Sequence, residues 1–179
     1  MSEGFYYRTQ DYVGVWRRLL VVFVDIAVVL GLIVAAGIAL YTLLPERFGV
    51  ALQLPVAAGL SFLYLVLLKR SRLRTIGYRL AGVRVVDFHG GMPSVASLTL
   101  RLTFAVFGPF NILLDLLWIP GDPHRQALRD KFAHTYVVRS QAEPAGSAPI
   151  ELRPCFILGC SFLFQEVDFA VQVPTPSTD

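Results

Sequence analysis

The feature that most constrains this chain is an apolar run from Leu19 to Leu44, preceded by Arg17 and Arg18 and broken by one ionisable side chain, Asp25. About 26 residues span roughly 39 Å as a helix, more than the ~30 Å hydrocarbon core of a bilayer. The run is also longer than the roughly 7 to 15 apolar residues of a signal peptide, so it reads as a retained membrane helix. An aspartate about two turns inside such a helix costs ~2.5 to 3.5 kcal/mol on insertion scales. Asp25 therefore needs a partner, a water-lined cavity or a proton. Composition agrees: 55% of the 179 residues are hydrophobic, 16% are charged, and the mean hydropathy is +0.58. A soluble domain of this size has no interior large enough for that apolar surface.

A second run, Val50 to Leu68, carries no charge and follows a short break at Pro45 to Gly49. It reads as a second span antiparallel to the first, in which Pro55 and Gly59 are tolerated as they would not be in water. Lys69, Arg70, Arg72, Arg74, Arg79 and Arg84 follow, against the single acid Asp87 in the loop to residue 97. With Arg8, Arg17 and Arg18 ahead of the first span, the positive-inside rule puts the N-terminus and this loop in the cytoplasm and the 45–49 turn outside. Lys69, Arg70, Arg72 and Arg74 are candidates for contact with anionic lipid or a protein partner. The stretch lacks the interleaved aromatics of a nucleic-acid surface, so no nucleic acid is expected.

The third apolar segment, residues 98–119, contains Arg101, Gly108-Pro109 and Asp115. It reads either as a third span or as a re-entrant pair of arms, each about ten residues and ~15 Å long. Re-entry keeps the basic block Arg125, Arg129 and Lys131 on the cytoplasmic side. Arg101 and Asp115 are expected to neutralise each other or Asp25, and Thr103 and Asn111 to act as polar ligands or packing contacts. Val83 to Val86 and Thr135 to Val138 read as two short strands that need each other, since a lone strand is unstable. Residues 140–149 have linker composition. Cys155 to Phe164 is too short to span and reads as a strand, an interfacial segment or a loose tail, while Val171 to Asp179 reads as disordered. The expected fold is an all-α membrane protein with two full transmembrane helices (about 19–44 and 50–68), a third apolar segment (98–119) that re-enters or crosses, and a short cytoplasmic strand pair. Residues 1–16 are expected to be a cytoplasmic tail, 17–139 the membrane domain, and 140–179 linker and tail.

Arg18, Asp25, then Thr75-x-Gly77-x-Arg79-x-x-Gly82-x-x-Val85, then Arg125-Gln126-x-Leu128-x-Asp130-Lys131 ahead of Thr135-x-Val137-Val138, resemble the RDD family of bacterial integral membrane proteins. That family is named for an arginine and two aspartates, which map to Arg18, Asp25 and Asp130. The resemblance covers about Trp16 to Arg139 and implies a multi-pass domain in the cell membrane, some of whose relatives look like monovalent cation/proton antiporters. The chain departs from the family pattern at Val21, Tyr78, Arg129 and His134, the last at a position where glycine is common.

Arg18 and Asp25 share a helix face but lie ~10 Å apart along the axis, so Arg18 is better placed for a bidentate pair with Asp130. Asp25, with Asp115 and Arg101, forms a candidate ion or proton pathway, because intramembrane carboxylates face bundle interiors. His89, His124 and His134 lack metal spacing and read as surface residues, and Cys155 and Cys160 form neither a disulfide framework nor a zinc site. No catalytic constellation or cofactor motif is present, so neither an enzyme nor a cofactor is expected. Two functional classes follow: a cation/proton transporter or transporter subunit, which with so few spans requires a homo-oligomer, and a non-catalytic scaffold binding another membrane protein or anionic lipid in the bilayer.

Overall fold

The computed structural model describes residues 3–106, 115, 117–157 and 160–168. Gly108-Pro109, Asn111 and the tail from Val171 to Asp179 lie outside them. Helix α1 is Val15–Leu43, and α2 is Glu46–Phe62, continuing through a wider π-helical turn at Leu63–Leu68. Both are long and apolar enough to cross a membrane. Their outer faces are bare: Phe23 is 70% exposed, Ile38 61% and Leu54 79%. Such helices shed water only against lipid or another apolar surface. Gly49, in the first turn of α2, lets the two helices approach closely, since a Cβ there would meet the Leu40 carbonyl oxygen at 3.2 Å.

At the open end of this hairpin sits a compact cap. Helix α3 (Ile76–Leu80) leads into strand β2 (Val83–Asp87), which pairs antiparallel with β3 (Thr135–Arg139), as the two sequences require. Between these strands lie α4 (Val95–Val106) and α5 (Leu128–Phe132). The ribbon obeys the two-residue period of a strand. Val83, Val85 and Val137 face a core with Val13, Val21, Tyr78 and Ala81. Val86, Tyr136 and Val138 face a second core with Tyr7, Tyr12, Phe88 and Val167.

That second core is closed by a three-stranded sheet, of which the sequence offered only 155–164 as a candidate strand. β1 (Glu3–Tyr6) pairs with β4 (Gly146–Ile157), which pairs with β5 (Cys160–Val167), all antiparallel. Residues 1–16, expected as a tail, and 140–179, expected as linker and tail with 155–164 a candidate strand, thus contribute three strands, and the described residues form two sheets. Ala148 and Val167 are buried in this core, while Leu152 and Leu163 remain exposed. Gly4 is placed by close approach, since a Cβ would lie 2.5 Å from the Val167 side chain.

Candidate functional site

The polar face of α1 carries two distinct buried charge sites. At the deeper one, Asp25 is 4% exposed and among the described residues meets only neutral donors. The Tyr64 hydroxyl (3.1 Å) and the Gly77 backbone N–H (2.9 Å) donate to Oδ1, and the Thr75 hydroxyl (2.8 Å) donates to Oδ2. Thr75 is also the N-cap of α3, where its oxygen accepts from the Tyr78 N–H at 3.4 Å. Asp25 therefore reaches across to the positive end of a short helix. A Cβ at Gly77 would come within 2.7 Å of both Asp25 Oδ1 and the Val21 carbonyl oxygen, so only glycine lets α3 approach this closely. The π-helical turn aims Tyr64 inward, and its hydroxyl in turn accepts from the Ile76 N–H at 3.0 Å.

At the second site Asp130, fully buried, sits between two arginines. Arg18 Nη1 donates to Oδ2 at 2.5 Å, and Arg101 Nη1 lies 2.6 Å from Oδ1. The expected bidentate clamp is corrected here. Arg18 gives Asp130 only one nitrogen; its Nε donates to the Val13 carbonyl (3.0 Å) and its Nη2 to the Arg125 carbonyl (2.6 Å). Arg125 presents that carbonyl from a left-handed backbone conformation, φ 48°. Arg101 also donates to the Thr135 hydroxyl at 2.5 Å, tying α4 to β3. Burial alone would raise the Asp130 carboxyl, but the Arg101 and Arg18 guanidinium groups hold it down at about 2.

Arg101 and Asp115 do not neutralise each other or Asp25. Arg101 is committed to Asp130, and Asp115 pairs with Arg129, 3.1 Å from its Nε. Of the basic run, Arg70 and Arg72 are exposed. Lys69 is half-buried, with its ammonium 4.7 Å from the centre of the Tyr78 ring, and Arg74 reaches the Val83 carbonyl at 3.4 Å. Burial pushes the Lys69 ammonium below its usual range. His124, expected at the surface, is 3% exposed and packed between Tyr12 and Tyr136, with its imidazole pushed down by burial. A further cluster went unforeseen: Lys131 lies 2.5 Å from Asp122 and bonds Glu166 of β5, bolting the outer sheet to α5. Among the described residues, no group of three or more His, Cys, Asp or Glu could hold a metal.

Asp25 and the Arg18–Asp130 site open on one cavity of about 270 Å³, bounded by α1, the π-helical turn, α3, α4 and α5. Its polar wall is Arg18, Asp25, Lys69, Tyr78, Arg101 and Arg129, and its apolar wall runs along α1 through Val22, Ile26, Val29 and Leu30. The model of the RDD family matches residues 12–134, a stretch that contains every one of these groups. The chain belongs to the RDD family. No curated protein and no solved structure matches it. In RDD terms, the arginine and two aspartates mapped from the sequence all face this cavity or lie directly behind its wall. The position where the family commonly has glycine is His134, whose φ of 52° gives a conformational reason for that preference.

Proposed function

We propose that this RDD protein is a non-catalytic, two-span membrane module that holds a folded cytoplasmic cap against the bilayer and presents it to lipid or to another membrane protein. The carrying observation is the use of its buried charges. Asp25 accepts three hydrogen bonds, from Tyr64 of the π-helical turn and from Thr75 and Gly77 at the start of α3, and Asp130 joins α1, α4 and α5. These are the contacts of structural joints, with polar groups satisfied internally where water is scarce.

The placement of the cap supports a topology as well. The segments before α1, after α2 and after residue 127 share two cores, so they lie on one side of the membrane. Arg101 and Asp115, near the two ends of the third apolar segment, pair with Asp130 and Arg129, which are adjacent in α5. Both features favour a re-entrant third segment, and the basic loop favours a cytoplasmic cap. Cysteines at Arg47, Arg72 and Gln141, in a background lacking Cys155 and Cys160, should react with an impermeant reagent in intact cells only at position 47. Labelling at 141 in intact cells would overturn the arrangement.

A second reading, cation/proton exchange through Asp25, is favoured by one observation: that carboxylate lines the cavity with no paired cation among the described residues. Proteoliposomes separate the two. The module reading expects no cation-dependent proton flux in the wild type and a clear loss of melting temperature in detergent for Asp25→Asn. Hydrogen bonds to a charged acceptor contribute roughly 1.5 to 3 kcal/mol each, and the amide keeps only part of them. Wild-type flux that vanishes in a normally melting Asp25→Asn protein would establish exchange instead.

A further inference from the structure

We infer that the cavity between α1 and the π-helical turn is a site for one anionic phospholipid from the leaflet facing the cap, with its phosphate against Lys69 and its acyl chain laid along α1. This deepens the membrane-module reading and rests on it. Charge is the first argument. The cavity is lined by four cations, Arg18, Lys69, Arg101 and Arg129, against one acid, Asp25. Asp130 and Asp115 stand behind the arginines and offset them in part. One positive charge remains over after these three acids. Lys69 is the cation with no carboxylate within ion-pair distance among the described residues, and it has a ring face beneath it. A lysine ammonium can receive a phosphate as a point charge without the fixed fork geometry that the clamped arginines have already committed.

Shape distinguishes a lipid from a soluble anion. Arg18, Val22, Asp25 and Val29 of the lining fall on one face of α1, and Ile26 and Leu30 flank it on the side towards the bilayer. From Arg18 to Leu30 the lined stretch of α1 extends about 18 Å, against ~15 Å for half the hydrocarbon core. The cationic end thus sits at headgroup level and the apolar lane has the depth of one leaflet. Ile26 and Leu30 are half exposed, 49% and 56%, so the lane opens sideways to the bilayer. An inorganic anion has no use for such a lane, and a zwitterionic lipid gains little from the excess charge. Arg70 and Arg72, exposed beyond the cavity, belong to the general basic rim.

The full chain, purified in a neutral detergent and stripped of lipid, should be titrated with dioleoylphosphatidylglycerol, dioleoylphosphatidylcholine or glycerol 3-phosphate, reading bound mass by native mass spectrometry. One phosphatidylglycerol should bind at least about tenfold more tightly than phosphatidylcholine, a difference of ~1.4 kcal/mol, and glycerol 3-phosphate should not bind. Lys69→Gln should lower phosphatidylglycerol affinity about tenfold while Arg47→Gln, at the far end of the hairpin, leaves it unchanged. Leu30→Trp, at a half-exposed position that does not disturb the core, should block the lane and abolish the bound mass. Equal binding of the two lipids, or indifference to Lys69→Gln, overturns the site. Glycerol 3-phosphate binding as tightly as phosphatidylglycerol overturns the lipid in favour of a soluble anion. A folded protein without flux and without selective lipid binding leaves the module reading standing and removes only this inference, whereas wild-type flux removes the module reading whatever the lipids do.

Discussion

Asp25 and Asp130 are both buried carboxylates facing the same side of α1, and the protein satisfies them by opposite means. Asp130 is held by two guanidinium groups, Asp25 by two hydroxyls and a backbone N–H. The difference follows depth. Asp130 lies beside Arg18, which starts the span and whose stem reaches from the headgroup level. Asp25 lies two turns further in, where a cation would carry a large desolvation cost of its own and dipolar donors a smaller one. Ion pairing joins α1 to α4 and α5, and dipolar capping joins α1 to the π-helical turn and α3.

The largest test of that contrast is Asp130→Ala. It strands two buried arginines, and losing one partner of a buried pair costs about 3 to 5 kcal/mol. The variant should fail to give a monodisperse peak in detergent size-exclusion chromatography. The charge swap Arg18→Asp with Asp130→Arg should not restore it, because Arg101 would then face a second arginine. Rescue by the swap would mean that Arg101 is dispensable and the site a simple pair.

Next is Gly77→Ala, which forces a methyl group into 2.7 Å contacts with Asp25 and the Val21 carbonyl oxygen. Overpacking of this kind costs about 1 to 3 kcal/mol, read as a lowered melting temperature. An unchanged melt would show that α3 can retreat from Asp25 without loss. Acid titration probes the other site. Asp130 is held at about 2 when folded, against its usual 3.8. Its depressed folded value means that the stabilisation is present above about pH 4 and lost as pH falls towards 2, an effect on the order of 2 kcal/mol. Detergent melts should steepen downward across that window, and in an Arg101→Met background the fall should be smaller, because the folded value moves back towards the unfolded one.

The smallest effect is expected at His134→Gly, close to the charged site in sequence but outside it. Relief of the left-handed conformation, φ 52°, should raise stability by up to about 1 kcal/mol, less what is lost from the edge contact with Phe88. A lower melting temperature would show that the ring contact outweighs the strain.

Much of the frame was legible because periodicity and length carry it. The two apolar runs became α1 and α2, and the β-branched segments at 83 and 135 paired in register. The Arg18–Asp130 contact was also legible, but its form was not. Arg101 stands one turn into an apolar segment, and nothing in its spacing says that it turns towards α5 and takes the second oxygen. Asp25's donors were invisible for another reason. Thr75 and Gly77 are ordinary turn residues in sequence, and only the fold brings them against α1. The sheet of β1, β4 and β5 was missed because Ala142 to Pro149 has loop composition, while Ala148 owes its burial to contacts far along the chain.

The pairing of Glu3–Tyr6 with Gly146–Pro149 has a consequence for biogenesis. Glu3–Tyr6 leaves the ribosome well before its neighbour and must wait for it until α5 and β3 have been made and both apolar helices have entered the bilayer. During that interval Glu3–Tyr6 is an unsatisfied edge, short enough to resist pairing with other chains. Closure of the cap is therefore a late, post-insertion event. A bulky fusion ahead of residue 3 should slow maturation while leaving targeting and insertion intact.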